Sequence, residues 1–388
     1  MQPINIAEFN YPLTEDQIAK FPIEVRSNSK LLVFDGQIND RKFNELPSFI
    51  PDDALVVFNN TKVVRARLVV FKPTGARIEI FCLDPLQPAD YERAFAATGE
   101  CSWHCIIGNA KKFNAPIPIL FEGNNIIATR TDDTTVHFKW DSEHTFGQIL
   151  EILGRIPIPP YLNRDSQEID NSRYQTTYAH LEGSVAAPTA GLHFTEEVIG
   201  KLHATAFLTL HVGAGTFLPV KESDATRHNM HNEVFEIHVS ELEKISPKQG
   251  KIIAIGTTSV RTLESLAALG YRVKTKGSPE CHEPVGQWET YQNEPQGDEL
   301  TLLLNYMKDN KIERLMGSTQ IMITPSYKFR TIQGLVTNFH QPQSTLLLLI
   351  SAVVGDKWRD IYKYAQENGY RFLSYGDSNL YFVQKPTK

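Results

Sequence analysis

Two histidines set in glycine-rich turns are the first residues here whose surroundings suggest chemistry. In "VAAPTAGLHFTEEV" (185–198), His193 follows a turn of Pro188, Thr189, Ala190 and Gly191 that lets backbone come close to a ligand. Thr195 is placed to cap a helix whose first turn holds Glu196 and Glu197. Unpaired N–H groups at such a helix start disfavour an imidazolium, so a neutral imidazole is expected at His193. In "LTLHVGAGTF" (208–217) a strand delivers His211 into a turn holding Gly213 and Gly215, followed by Thr216. Each histidine is either a proton-transfer group near neutral pH or a packing residue.

Three further constellations place polar groups beside turns. "AIGTTSVRTLE" (254–264) runs from a strand through Gly256 into the hydroxyls of Thr257, Thr258 and Ser259, with Arg261 in the opening of the helix. That arrangement suits an anion at a helix N-terminus, and an ordinary capped helix fits the residues equally. "VTNFHQPQSTL" offers Asn338 and His340 at a strand end, and "SYGDSNL" offers Tyr375 and Asp377 in a turn. In "RHNMHNEVFEI", His228, His231 and Glu233 lie close together, but no helical face is evident to align them as ligands, so no metal is expected. The Gly-x-Gly near His211 lacks the full dinucleotide pattern, and there is no G-x-x-x-x-G-K-[ST] phosphate loop.

The elements that must hold these residues fall into two groups. "RLVVFK", "RIEIFCL", "WHCIIG" and "NNIIATRTDDTTVHFKW" are short, β-branched and aromatic, separated by turn residues, with no helical period. Residues 66–147 are therefore expected to form a small all-β unit, a barrel or a sandwich. From about residue 145 strands and helices alternate. "TFGQILEILGRI" reads as a helix stopped by Pro157, Pro159 and Pro160, and "AFLTLHV", "KIIAIGTT" and "GLVTNF" read as strands. "SVRTLESLAALG" reads as a helix ended by Gly270, "STLLLLISAVVG" as a buried helix, and "WRDIYKYAQENG" as a helix closed by Gly369. "RFLSYGDSNLYFV" reads as strand, turn, strand, and the polar stretch 274–300 as a long loop. The expected fold is an α/β main domain, 1–65 and 148–388, with the β-barrel of 66–147 inserted after the strand "ALVVFN". Polar residues at strand ends in such a sheet mark the ligand-binding edge.

Bulk properties exclude some classes. A net charge of −6 argues against a chain that coats nucleic acid over its whole surface. Residues 61–112 run the other way, with eight basic residues against five acids, which allows a local basic patch. Four scattered cysteines supply neither a disulfide framework nor a paired zinc motif, and reduced thiols are expected. The N-terminus lacks a basic start and an apolar core, and "TLLLLISAVVG" falls short of the ~20 residues a bilayer needs. A cytoplasmic protein without membrane contact is expected.

Several motifs together resemble, in order, those of the S-adenosylmethionine:tRNA ribosyltransferase-isomerases of queuosine synthesis. They are "VFNNTKVVRARL", "IPIPPYLNR", "RYQTTYA", "GSVAAPTAGLHFTEEV", "LTLHVGAGTFLPV", "HNMHNEVFEI", "IAIGTTSVRTLES", "GLVTNFHQPQSTLLLLISA" and "YRFLSYGDSNL". The likeness spans nearly the whole chain. It implies transfer of the ribosyl part of S-adenosylmethionine to the aminomethyl group of a 7-deazaguanine at the wobble position of a tRNA. The ribosyl unit is isomerised, adenine and methionine leave, and epoxyqueuosine-tRNA results. It also implies no metal or redox cofactor, S-adenosylmethionine serving as co-substrate. The partners expected are that tRNA and S-adenosylmethionine, met by a monomer.

On that resemblance His193 and His211 are the favoured catalytic residues, with His340 and Asp377 next. Asn59, Thr61, Thr189, Gly191, Gly213, Gly215, Thr216, His231, Glu233, Asn338 and Tyr375 are expected on the substrate side. Thr257, Thr258, Ser259 and Arg261 would hold either the methionine carboxylate or a tRNA phosphate. Arg65, Arg67, Lys72 and Lys112 would steer the tRNA backbone. The sequence departs from the family's pattern at Gly108, where an arginine is usual, at Ser326, where a glycine is usual, and at "TGA" in place of "TGG". A methyltransferase acting on RNA and a non-catalytic RNA-binding relative are the competing readings.

Overall fold

The computed structural model describes residues 2–72, 74–213, 220 and 222–384. The chain lays down β1 (Lys30–Phe34), β2 (Ile38–Lys42), β3 (Leu55–Asn59) and β4 (Thr61–Val63). One continuous run then gives β5 (Arg67–Phe71), β6 (Arg77–Gln87), β7 (Glu100–Gly108), β8 (Ile117–Phe121), β9 (Asn124–Arg130) and β10 (Thr135–Trp140). After it come β11 (Leu181–Ser184), β12 (Thr205–Leu210), β13 (Glu233–His238), β14 (Ile252–Ile255), β15 (Arg314–Thr319), β16 (Ile332–Asn338) and β17 (Ser378–Phe382). The helices are α1 (Tyr91–Ala96), α2 (Phe146–Leu153), α3 (Glu168–Arg173), α4 (Glu196–Gly200), α5 (Val239–Ile245), α6 (Thr257–Lys276), α7 (Glu299–Asp309), α8 (Thr345–Val354) and α9 (Trp358–Glu367).

The main sheet has nine strands in the order β15-β13-β12-β3-β14-β16-β17-β1-β2. Its centre, β12-β3-β14-β16, is parallel throughout. Both faces of this centre are covered. Leu55, Val57, Ala254 and Leu335 pack into the larger core on one side, and Val56, Phe58, Ile253 and Val336 into a second core on the other. Burial on both faces is why "ALVVFN" and "KIIAI" are unbroken apolar runs rather than alternating ones. The antiparallel flanks, β13 and β15 on one side and β17 on the other, extend this block.

The second sheet, β5-β6-β7-β10-β9-β8, is antiparallel and nearly closed into a barrel. Alternate residues of its strands, among them Ile78, Ile80, Cys82, Trp103, Cys105, Ile126 and Phe138, form a separate core. Phe146, Ile149 and Leu150 of α2 join that core. The polypeptide passes between the sheets through β4 and β11, which pair with each other in parallel. All four cysteines are free thiols. No helix among the described residues is long and apolar enough to cross a membrane.

Three local expectations need correction. The stretch 66–147 does contain a helix, the six residues of α1, capped by Asp90. Six residues span under two turns, too few to show a period. Gly270 does not end a helix: α6 continues to Lys276 and stops at Gly277, whose φ is +80°. Gly270 instead lets two helices touch, because a Cβ there would lie 1.9 Å from the Glu299 carbonyl oxygen at the start of α7. At the C-terminal end only Ser378–Phe382 is a strand, and the residues before it make a turn with one isolated bridge from Phe372 to Ile18.

Candidate functional site

The four parallel strands end on the same edge of the sheet, which is where an α/β fold binds ligands. β3 ends at Asn59, β12 runs out at Leu210 into His211 and Val212, β14 leads through Gly256 into α6, and β16 ends at Asn338 ahead of His340. Gly256 turns the corner with φ +86°, a backbone state that suits glycine. A cavity opens at this edge, with about 740 Å³ of empty space that includes open solvent. Thr189, Thr257, Thr258, Asn338 and His340 all line it, together with Tyr161, Ser344 and Ser374. Five of the expected residues, from three distant segments, thus share one wall.

His193 stands one residue behind that wall. Its Nδ1 lies 2.9 Å from Ser29 Oγ, and its Nε2 lies 3.3 Å from the side-chain nitrogen of Asn338. The other end of the Asn338 amide accepts a hydrogen bond from Thr189 Oγ1 at 2.9 Å. Asn338 can only donate through its nitrogen, so Nε2 of His193 accepts and Nδ1–H donates to Ser29. The ring packs on Phe43 at 5.2 Å. Burial pushes the His193 pKa down to about 4, with the Asp377 carboxylate opposing and Arg371 assisting. The neutral imidazole expected from the sequence is found, but burial rather than a helix field is its main cause. The helix cap does form: Thr195 Oγ1 accepts from Val198 N at 3.3 Å.

His340 lines the cavity directly. Its Nε2 is 2.9 Å from Thr337 Oγ1, and its backbone is gripped from both sides, the carbonyl accepting from Tyr11 OH and the N–H donating to Tyr362 OH. Burial holds its pKa near 3. His211 is not part of the cavity wall, though its neighbour Val212 is. Its Nδ1 meets Thr61 Oγ1 at 2.9 Å, its ring lies 5.3 Å from Tyr91 of α1, and burial brings its pKa to about 4. Gly183 makes room for that ring, since a Cβ there would come within 2.6 Å of it.

Other expected residues serve the frame. Asn59 is fully buried: its oxygen accepts from Leu210 N and Thr61 N, and its nitrogen donates to the Leu210 carbonyl and Thr258 Oγ1. It therefore ties the ends of β3 and β12 to the start of α6. Ser259 Oγ donates to the Ile255 carbonyl within the helix turn. Both oxygens of Asp377 accept backbone N–H groups, from Lys30 and Arg371, and the Arg371 side chain adds a third bond. Tyr375 OH donates to Asp170, which also holds Arg164 in a two-pronged pair. Gly191 is required by packing, because a Cβ would sit 2.0 Å from Tyr178 OH. Gly213 has open space around it and donates its N–H to Glu233 at 3.1 Å. Gly215 and Thr216 lie outside the described residues.

A second cavity, with about 560 Å³ of empty space, borders the first at Leu346. His231, Glu233 and Arg261 are on its walls, beside His228. Among the described residues, no group of three or more His, Cys, Asp or Glu side chains is arranged to hold a metal ion.

The basic residues expected to meet RNA differ in their freedom. Arg67 is paired with Glu79 at 2.7 Å, and Arg65 with Glu151. Lys72 donates to the Lys112 carbonyl, leaving the Lys111 and Lys112 ammonium groups on the exposed surface. Sequence reasoning missed Ser29, Ser344, Ser374 and Tyr161. Tyr161 carried a signal, since it sits in "IPIPPYLNR"; Ser29 carried none, being 164 positions from its partner.

Comparison with known proteins adds a further finding. The profile of the queuosine biosynthesis protein family matches residues 6–381. A protein of Nitrosospira multiformis described as an S-adenosylmethionine:tRNA ribosyltransferase-isomerase is 36% identical over 97% of this chain and 98% of its own length. One of the same description from Azoarcus sp. is 36% identical over 97% of each. A crystal structure of S-adenosylmethionine tRNA ribosyltransferase from Thermotoga maritima is 26% identical, covering 96% of this chain and 99% of that one, with a TM-score of 0.45.

Proposed function

Because this chain belongs to the queuosine biosynthesis protein family, we propose that it is an S-adenosylmethionine:tRNA ribosyltransferase-isomerase. The acceptor is the aminomethyl group of a 7-deazaguanine at the tRNA wobble position. The ribosyl unit is transferred and isomerised, adenine and methionine leave, and epoxyqueuosine-tRNA is the product. The single observation that carries this reading is the cavity at the carboxyl edge of the parallel strands. It gathers Thr189, Thr257, Thr258, Asn338 and His340 on one wall.

The geometry suits the charge of the substrate. A sulfonium is a fixed cation, and an imidazolium beside it would repel it in a medium poorer than water at screening charge. Burial keeps His340 and His193 neutral. His340, on the cavity wall, is the group placed to exchange a proton with substrate. Its burial makes it a weak base, which is sufficient because the sulfonium already acidifies the carbon beside it. His193 acts through Asn338: it holds the amide so that its oxygen faces Thr189 and the cavity. His193 is thereby a positioning residue. The hydroxyls of Thr257, Thr258 and Thr189 are of a kind to meet ribose oxygens.

In this reading residues 66–147 form an inserted unit that helps seat the tRNA, and residues 1–65 with 148–388 form the catalytic unit, acting as a monomer. No metal or redox cofactor is assigned, because the proposed conversion passes no electrons to an outside acceptor.

Incubation with S-adenosylmethionine and tRNA carrying the precursor base tests the reading. Adenine and methionine should appear together, and the tRNA should gain the mass of the transferred unit. Release of S-adenosylhomocysteine instead would mark a methyltransferase. Tight tRNA binding with S-adenosylmethionine left intact would mark a non-catalytic binder.

A further inference from the structure

Outside the two cavities described above, a crevice lies between residues 22–26 and the end of α3, with about 260 Å³ of empty space that includes open solvent. Arg26 and Arg173 line it, together with Pro22, Ile23 and Tyr375. Both arginines are half-buried, and their hydrogen bonds go to backbone carbonyls. Arg26 donates to those of Gln175, Leu192 and Ser172 at 2.8, 3.0 and 2.6 Å. Arg173 donates to those of Glu24 and Ile23 at 3.1 and 2.5 Å. Among the described residues neither has a carboxylate partner. Asp170, in the same helix as Arg173, is fully buried and already holds Arg164 and the Tyr375 hydroxyl. The Arg26 pKa is pushed down, first by burial and then by the charge of Arg173.

Two like charges in one crevice, met only by neutral carbonyls, repel each other until an anion enters. An anion can reach them. The Arg26 bond to Ser172 and the Arg173 bond to Glu24 lie at the exposed surface, and each of these terminal nitrogens carries a second N–H for a ligand. Arg173 Nε is sealed and takes no part. The same two segments also expose apolar side chains: Phe21 is 44% exposed, Val25 49% and Ile169 42%. Arg164 lies over the Phe21 ring at 4.2 Å. Guanidinium groups beside an exposed ring are the combination that grips an unpaired polynucleotide, the charge meeting phosphate and the ring meeting a base.

We propose that this crevice binds a backbone phosphate of the RNA strand next to the wobble nucleotide, bridged between Arg26 and Arg173, with Phe21 offered to an adjoining base. This rests on the function proposed above and adds an RNA contact outside the β-barrel. Ser374 lines both this crevice and the first cavity, so the two lie on either side of one residue. No passage through the protein is needed, because a strand runs from one to the other over the surface. A free phosphate ion offers the same oxygens but gains nothing from the apolar rim.

Filter-binding titration of the full chain with an anticodon stem-loop RNA tests this, each phosphate beside the wobble nucleotide being replaced in turn by an uncharged methylphosphonate. The wild type should lose about tenfold in affinity at one linkage, as for one hydrogen bond to a charged group. Arg173→Gln should bind the ordinary RNA about tenfold more weakly, with the slope of log affinity against log salt reduced by about 0.7. It should then lose less than about twofold more at that linkage. Arg173 is the cleaner choice, since Arg26 also holds the Leu192 carbonyl beside His193. Additive losses from the variant and the methylphosphonate would overturn the proposal, because an arginine that only staples the backbone is indifferent to one RNA charge. So would a wild type that tolerates every replacement. Should R173Q fold poorly, 4-thiouridine beside the wobble nucleotide serves with the unaltered chain. Its photo-crosslinks should fall within residues 20–26 or 168–173, and crosslinks confined to 66–147 would overturn the proposal. Inorganic phosphate titrated at constant ionic strength tests the other source. Tight binding that R173Q abolishes, without coupling to any RNA linkage, would mark a free-anion site and overturn the RNA assignment. Adenine release with modified tRNA separates the layers. If it occurs without that coupling, the crevice assignment alone fails. If the wild type binds no RNA, the proposed function fails and the assignment with it.

Discussion

The side-chain nitrogen of Asn338 lies 3.3 Å from Nε2 of His193, and this contact is how a histidine outside the cavity reaches its wall. The chain Ser29, His193, Asn338, Thr189 runs through three sequence segments and fixes the rotation of one amide. Without it the oxygen and nitrogen of Asn338 could exchange places, and Thr189 would lose its acceptor.

The first prediction follows from that relay. His193→Ala should lower kcat by roughly ten- to a hundredfold, about 1.4–2.8 kcal/mol in barrier. The tRNA affinity should change by less than about threefold, because His193 is buried away from the surface. Rapid-quench turnover and a filter-binding titration separate the two quantities. Equal small changes in both would reduce His193 to a packing residue.

Acid should weaken the fold through the buried histidines. His193 and His340 have folded-state pKa values near 4 and 3, below the ordinary value of 6.5. The unfolded chain therefore binds more protons in this range, and stability rises with pH there. Their contribution is fully present above about pH 6.5 and is lost as pH falls toward 4 for His193 and 3 for His340, at up to about 1.4 kcal/mol per pH unit for each. Urea melts at pH 7 and pH 4.5 should show a smaller acid loss in His340→Gln than in the wild type. Identical losses would mean that His340 is accessible to protons in the fold.

Gly270→Ala inverts a usual rule. In an ordinary helix interior the change gains about 0.5–1 kcal/mol. Here the new methyl would lie 1.9 Å from the Glu299 carbonyl oxygen, so α6 and α7 must separate. A net loss of about 1–3 kcal/mol is expected, read as a lower urea midpoint at constant slope. A raised midpoint would show that the two helices part freely.

The basic residues should divide by whether they are already paired. Arg67→Ala should alter tRNA affinity little, since Glu79 holds that guanidinium. Replacing Lys111 and Lys112 together by alanine should reduce the slope of log affinity against log salt by roughly 1.5, about 0.7–0.9 for each phosphate that is no longer neutralised. Affinity measured from low to moderate salt checks both. A flat response for the lysine pair with a large one for Arg67 would place the RNA-binding face elsewhere on the barrel.

Most strands were legible because their burial is simple. "ALVVFN", "KIIAI" and "GLVTNF" are apolar on both faces, and a strand is the element that such short runs can form between turn residues. Glycine was the ambiguous letter. At Gly277 and Gly369 it ends a helix with positive φ, whereas at Gly270 and Gly191 the same residue allows a close approach by a distant carbonyl or hydroxyl. Nothing local separates the two uses, because the neighbour that needs the space is elsewhere in the chain.

What the sequence determined by itself was the kind of edge on which chemistry is placed: strand ends carrying His211 and Thr257 beside glycine turns and Asn338 ahead of a proline, because each of those signals is local to a few residues. Only the tertiary structure decided which of these polar groups face a ligand. It turned Asn59, Asp377 and Tyr375 inward to bind backbone or buried partners, set His193 behind Asn338, and brought His340 to the cavity wall. A hydrogen-bonding side chain takes whichever partner the fold brings within reach, and those partners lie as far as 347 positions away. Pairing at that range is settled when the sheet and helices pack, not when the residues are chosen.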